Sequence, residues 1–207
     1  MIVVIDYGMG NLGSILNMLR KIGADAIISS KPEDLNNADK LILPGVGAFD
    51  NGMRNLEERG LIPILREQVL DKGKPVLGIC LGMQLFTKNS EEGNLKGLGW
   101  INADTVRFKF DATQADLKIP HMGWNMIAVK KESLLFQEMY SEPSFYFVHS
   151  YHLVCNQKED ILATTEYGYE FVSIVNKNNI FGMQFHPEKS HRFGMRLLDN
   201  WVKTHNL

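Results

Sequence analysis

Gly78-Ile79-Cys80-Leu81-Gly82 is the stretch on which the reading of this chain turns. Pro75–Ile79 before it is an apolar strand, and Met83-Gln84-Leu85-Phe86 after it opens a helix. A cysteine between two glycines at such a junction marks a sharp strand-to-helix elbow. The glycines leave room for the turn, and the nucleophile stands clear of the sheet. The helix end favours negative charge, and the backbone N–H of Leu81 is placed to donate to an oxyanion. The same five residues also fit a buried structural cysteine in a Gly-rich turn, so the rest of the chain has to decide.

Working outward, short apolar runs alternate with helical segments up to about Asn89. Ile2–Ile5, Ala26–Ser29 and Lys40–Leu43 read as strands, with helical material at Asn11–Ile22 and across Phe49–Asp71, broken near Gly60. The continuous apolar character of Ile2–Ile5 and Leu41–Leu43 suits strands covered on both faces, as in a parallel sheet flanked by helices. From about Gly97 the chain becomes a series of short strands: Ala103–Phe108, Asn125–Val129, Ser144–Val148, Tyr151–Cys155, Ile161–Thr165, Phe171–Asn176 and Ile180–Gln184. Asn178-Asn179 predicts a tight hairpin, and a closing helix starts near Ser190. The expected architecture is a three-layer α/β fold, with a mostly parallel central sheet and an added antiparallel region. No repeat or linker divides residues 1–207, so a single domain is expected.

Phe185-His186-Pro187-Glu188 follows the last strand. A histidine with a carboxylate two residues on can supply a general base and the group that orients it. The bland reading is a surface turn with Glu188 favouring the next helix. His186 and Cys80 both sit at C-terminal ends of strands, the edge where open α/β sheets place their sites. Pro44-Gly45-Val46-Gly47 follows another strand end, and its glycines let a ligand approach the main chain. Asp6-Tyr7-Gly8-Met9-Gly10-Asn11 lacks the third glycine of a dinucleotide fingerprint, which excludes nucleotide binding there.

A formal net charge of −2 gives no reason to expect nucleic acid or an anionic membrane as partner. The N-terminus enters an apolar strand with no basic region before it, and no stretch is long enough to span a bilayer. A cytoplasmic setting follows as the expectation, with Cys80 and Cys155 as free thiols.

Gly78–Gln84 and His186-Pro187-Glu188 resemble the two signatures of the class I glutamine amidotransferases. Four more blocks are similar to one branch of that family, the glutaminase subunits of histidine biosynthesis: Asp6–Asn11, Pro44–Phe49, Pro120-His121-Met122-Gly123-Trp124-Asn125 and Tyr146–Tyr151. The resemblance covers nearly the whole chain in order. It implies the family's flavodoxin-like fold and L-glutamine as substrate, with Cys80 as nucleophile, His186 as proton carrier and Glu188 as orienter. It further implies an oxyanion hole from Leu81 and the Gly45, Val46, Gly47 backbone, and substrate contacts from Gln84, Tyr146 and Ser150. The implied partner is a (β/α)8-barrel cyclase in a heterodimer, docked on Pro120, His121, Met122, Gly123, Trp124 and Asn125, with no metal and no cofactor. The Gly45–Gly47 loop is expected to reach its oxyanion-binding form mainly when the loaded partner is bound.

Gly13 and Asp104 depart from the family's usual residues, which leaves open an ammonia donor for a sugar-modifying synthase of surface polysaccharides. A cysteine peptidase would share the elbow but not His186-Pro187-Glu188. A catalytically silent glutamine sensor is opposed by the intact Cys80, His186 and Glu188.

Overall fold

Four-residue apolar strands buried on both faces form the centre of the molecule. The computed structural model describes residues 1–114 and 116–204. Its first strands are β1 (Ile2–Ile5), β2 (Ala26–Ser29), β3 (Lys40–Leu43), β4 (Val76–Ile79), β5 (Asn89–Ser90) and β6 (Ala103–Arg107). They are followed by β7 (His121–Met126), β8 (Ala128–Val129), β9 (Ser144–His149), β10 (Tyr151–Cys155), β11 (Ile161–Tyr167), β12 (Tyr169–Lys177) and β13 (Ile180–Met183). The helices are α1 (Leu12–Lys21), α2 (Pro32–Asn37), α3 (Phe49–Glu58), α4 (Leu61–Arg66), α5 (Leu81–Leu85) and α6 (His191–Lys203).

The main sheet runs β2-β1-β3-β4-β13-β12-β10-β6-β5, with β11 paired to β12 and β8 to β11. From β2 to β13 the pairings are parallel. Beyond β13 they turn antiparallel through β12, β10 and β6. Alternation along each parallel strand divides the core between the two faces. Val3, Ile5, Leu41 and Leu43 pack with Phe49 and Leu56 of α3 and Leu61 and Leu65 of α4. Ile2, Val4 and Ile42 pack with Ile15 and Leu19 of α1 and Leu197 and Trp201 of α6. That is the expected three-layer arrangement. The C-terminus of α6 is tied down by buried Lys40, whose Nζ donates to the carbonyls of Trp201 and Thr204, each at 2.6 Å.

Three details differ from the sequence reading. The single strand expected over Asn125–Val129 is two: β7 pairs with β9 in a separate two-stranded sheet, and β8 joins the main sheet. The break lies at Ile127, whose side chain is buried and whose N–H donates to the Pro143 carbonyl. Helix α2 was not expected, although Pro32 at its first turn with Glu33 and Asp34 behind it is a helix-start signal. The helical run ending at Asp71 closes in a π-helical segment, Glu67–Asp71.

Register positions the future site. β4 lies between β3 and β13, with Leu43 and Gly182 both opposite Gly78. The segments after all three strands therefore emerge side by side: Pro44-Gly45, Cys80, and the turn leading to His186. The elbow itself is tightly packed. A Cβ on Gly82 would lie 1.8 Å from the Leu43 carbonyl oxygen, and one on Gly78 would lie 2.7 Å from the Met83 nitrogen. Gly82→Ala should thus cost more than about 3 kcal/mol, or prevent folding, because the obstacle is backbone of the neighbouring strand. Urea denaturation measures this, and wild-type stability in the alanine variant would show that the elbow has spare room.

Candidate active site

Cys80 adopts φ 53°, ψ −109°, a backbone conformation that L-residues rarely occupy. The strain is held on both sides: its N–H donates to the Met183 carbonyl at 2.7 Å, and its carbonyl accepts from Gln84 N at 3.2 Å. The thiol so presented borders a cavity of about 300 Å³. Val46, Gly47, Leu81, Gln84, Glu92, Pro120 and the Val148–Tyr151 corner make up the rest of its wall.

His186 follows β13, its N–H donating to the Tyr146 carbonyl at 2.9 Å. Pro187–Lys189 forms a 3-10 turn that curls Glu188 back toward the ring. Nδ1 of His186 lies 2.8 Å from Oε1 of Glu188, and both side chains are only 2% exposed. Nε2 has no partner at ordinary hydrogen-bond length. The Cys80 thiol is nevertheless the ring's second ionisable neighbour. Burial opposes charge on the ring, but the thiol and then the carboxylate outweigh it and raise the pKa from 6.5 to about 10. The thiol in front of the ring and the carboxylate behind it favour its protonated form, the arrangement a nucleophile–base pair requires.

The two segments expected to form the oxyanion hole are hydrogen-bonded to each other here, an arrangement compatible with a loop expected to open mainly on partner binding. The Leu81 N–H is not open: it donates to the Gly45 carbonyl at 3.3 Å. The Gly45 carbonyl therefore occupies the place an oxyanion would take. Gly45 has no room for a side chain, since a Cβ there would meet Tyr7 Oη at 2.5 Å and Leu81 Cβ at 2.8 Å. Tyr7 Oη in turn donates to the Pro44 carbonyl at 2.5 Å. Gly47 sits at φ 127°, a conformation open to glycine.

The remaining expected residues divide by position. Gln84 and Ser150 border the cavity; Tyr146 does not. The Tyr146 ring instead faces Trp124, with centroids 6.3 Å apart, and Lys189. In the Pro120–Asn125 block, Pro120 reaches the cavity wall, while Met122 and Trp124 are 65% and 48% exposed. His121 was expected on the docking face and is not there: strand alternation turns it inward, to 3% exposure. Met126, outside the expected block, continues the exposed row at 56%. Gly13 lies on open surface of α1, and Asp104 on β6 accepts from Asn89 Nδ2 at 2.8 Å. Neither borders the cavity.

The sequence reading missed three groups. Gln184, wholly buried, donates to Cys80 Sγ at 3.8 Å. Its signal was an amide inside an otherwise apolar run, Ile180–Phe185. Glu92 borders the cavity, accepts from Phe49 N at 2.9 Å, and has its pKa raised chiefly by burial. His149, inside the Tyr146–Tyr151 block but given no role there, forms part of the wall. Among the described residues no group of three or more His, Cys, Asp or Glu is arranged to hold a metal ion. No described helix is long and apolar enough to cross a membrane.

Comparison with known proteins agrees with this geometry. The family described as class-I glutamine amidotransferase matches residues 3–204. "Imidazole glycerol phosphate synthase subunit HisH 2" of Methanococcus maripaludis is 58% identical over 203 residues, covering 98% of this chain and 99% of that protein. Its namesake in Pseudomonas aeruginosa is 52% identical, with the same coverage. Among solved structures, a putative GMP synthase protein from Thermoplasma acidophilum superposes with a TM-score of 0.70. That likeness is at 23% identity over 97% of this chain and 91% of that one, and it speaks to the fold alone.

The His186 pKa gives a signed prediction. The ring gains its partners on folding, so its contribution to stability is complete below pH 6.5 and is lost as pH rises through about 10. Stability should fall across that window. Cys80→Ala should flatten the fall and bring the imidazole midpoint down in an NMR titration. A midpoint indifferent to Cys80→Ala would show that the thiol does not act on the ring.

Proposed function

Because this chain belongs to the class I glutamine amidotransferase family, we propose that it is the glutaminase subunit of an imidazole glycerol phosphate synthase. In that role it hydrolyses L-glutamine and passes the ammonia to a cyclase subunit for histidine biosynthesis. The observation that carries this reading is the strained Cys80 at a cavity, with His186 and its buried Glu188 beside it.

The chemistry runs in two halves. The Cys80 sulfur, its proton taken by His186, bonds to the side-chain amide carbon of glutamine. The carbon–nitrogen bond breaks as His186 returns the proton to the leaving ammonia, leaving a γ-glutamyl thioester. His186 next takes a proton from water, the hydroxyl adds to the thioester carbon, and glutamate departs as the proton returns to sulfur. Glu188 holds the ring and offsets its positive charge throughout. The Gln84 amide and the Glu92 carboxylate border the cavity, where they suit the polar groups of an amino-acid substrate.

The ammonia must reach its acceptor without meeting bulk water, where it would be mostly protonated and no longer nucleophilic. The exposed row Met122, Trp124, Met126 suits the docking of a (β/α)8-barrel cyclase as the second half of a cytoplasmic heterodimer. Since the Gly45 carbonyl holds the Leu81 N–H, the free subunit is in a resting state. Rotation of the Gly45-Val46 peptide on binding the loaded synthase would replace that carbonyl with a donor.

One observation favours a second recipient. Both relatives named above carry the ordinal 2, and a numbered further copy leaves room for a subunit that feeds a sugar-modifying synthase. Reconstitution with each type of synthase, followed by ammonia incorporation, separates the two.

Three outcomes test the proposal. Cys80→Ala should abolish glutamate formation, and a γ-electrophilic glutamine analogue should label Cys80 in the wild type; activity surviving in Cys80→Ala would sink the reading. The loaded synthase should raise glutaminase turnover about 10²–10³-fold, the worth of one oxyanion donor, whereas equal rates with and without it would remove the resting-state claim. Trp124→Ala should weaken the complex by about 2 kcal/mol in calorimetry if Trp124 is the anchor.

A further inference from the structure

A line of polar groups, buried at its two histidines, joins the small sheet to the cavity. Asn125 on β7 is fixed in orientation, its Oδ1 accepting from Met126 N at 2.9 Å and its Nδ2 donating to the Glu166 carbonyl at 2.8 Å. The same Nδ2 lies 3.3 Å from Nε2 of His121. Nδ1 of His121 is 3.1 Å from Nε2 of His149. Nδ1 of His149 is 2.8 Å from the Tyr151 carbonyl oxygen. That carbonyl also accepts from Nε2 of Gln84 at 3.1 Å.

The two ends of this line demand one and the same set of protons. A carbonyl only accepts, so His149 carries its hydrogen on Nδ1 and has a bare Nε2. Bare Nε2 must accept, so His121 also carries its hydrogen on Nδ1. The bare Nε2 of His121 is then the acceptor that the Asn125 amide requires. Starting from Asn125 and moving inward gives the same assignment. A second proton on either ring would set two donors face to face, and burial opposes that charge. Burial takes the His121 pKa down to about 4, and that of His149 well below its ordinary value. Phe147 and Tyr167 stack on His121, with centroids at 4.8 and 4.0 Å, and hold the ring against rotation.

At the cavity end the line fixes the direction of one amide. Gln84 Nε2 gives its hydrogens to the Tyr151 carbonyl and, at 3.2 Å, to Oε1 of Gln184. With both hydrogens spent, its Oε1 is presented as an acceptor for a donor group of the ligand. Gln184 completes the path by donating to Cys80 Sγ at 3.8 Å. At the surface end, Asn125 lies on β7 between Trp124 and Met126 of the exposed row.

We propose that His121 and His149 are positioning residues for the glutamine site. They form a tautomer-locked line of hydrogen bonds that sets the direction of the Gln84 amide and ties it to the strand offered to the synthase. The proposal rests on the glutaminase reading for its substrate, but the proton positions stand independently of that reading. A displacement of β7 on docking moves His121, and the line passes the movement to the Tyr151 carbonyl and so to Gln84.

Two measurements test it. Two-bond ¹⁵N–¹H spectra of the wild-type protein labelled in histidine should show both rings with hydrogen on Nδ1, the form that free imidazole in water disfavours. A signal for the Nε2–H form, or for a charged ring, at either residue at neutral pH overturns the proposal. Steady-state glutamine kinetics on the complex with the barrel cyclase are the second readout. His149→Phe keeps the ring's bulk and removes both hydrogen bonds, and it should raise KM about ten-fold, the loss of one buried hydrogen bond, with kcat changed far less. His149→Asn, which returns a donor near the Nδ1 position, should recover most of the KM. A His149→Phe enzyme with wild-type KM, or one that loses only kcat, overturns the positioning role. Should His149→Phe fail to fold, as its melting curve would show, the wild-type spectra decide. A wild-type complex without glutaminase activity would instead overturn the function proposed above and leave the tautomers to judge the line.

Discussion

The parallel pairing of β4 with β3 on one side and β13 on the other is the constraint on which the site depends. Parallel strands end on the same edge, so one register brings together a loop, a nucleophile and a base that are far apart in sequence. A slip of one residue would send every side chain on the moved strand to the opposite face, against the wrong helix layer. The burial of all four residues in β1, β3, β4 and β13 makes that slip costly. The hydrophobic core thus fixes the alignment of Cys80 and His186, and the elbow glycines allow the backbone to turn within it. The left-handed strain at Cys80 is tolerated because neighbouring segments hydrogen-bond both sides of the residue.

Much of this was legible from local pattern. Continuous apolar runs announced strands covered on both faces, and the elbow and the His186-Pro187-Glu188 turn each carried their chemistry within a few residues. What stayed hidden was set by pairing over distance. Gln184 looked like one more strand residue until the fold placed its amide beside sulfur. His121 looked like part of a surface block, and only its partner β9 shows that alternation sends it inward to His149. A partner-dependent Gly45–Gly47 loop was expected from its glycines, but not that the Gly45 carbonyl would be the group set against the Leu81 amide. Asn125–Val129 read as one strand because its apolar character is continuous, whereas two sheets share it.

The small sheet of β7 and β9 joins two properties that seldom coexist. Its outer side is apolar and open, through Met122, Trp124 and Met126. Its inner side is buried and, beside Phe145 and Phe147 of β9, carries the polar pair His121 and His149, with Phe108 and Phe171 packed around them. An exposed apolar face invites association, and a buried polar one penalises misplacement because unpaired groups there are costly. Under the proposed function, one strand pair is in this way both the docking face and the carrier of polar groups that lead to the cavity.

The carbonyl of Gly45 on the Leu81 amide has a consequence for the cell's economy. Glutamine is the shared nitrogen source of many biosynthetic routes, and a freely running hydrolase would drain it while releasing ammonia to no purpose. If the chain works as proposed, a subunit whose own main chain fills its oxyanion position is safe to synthesise in excess of its partner. Strict matching of the two subunits' expression would then be unnecessary, because an unpaired copy would stand idle rather than wasteful.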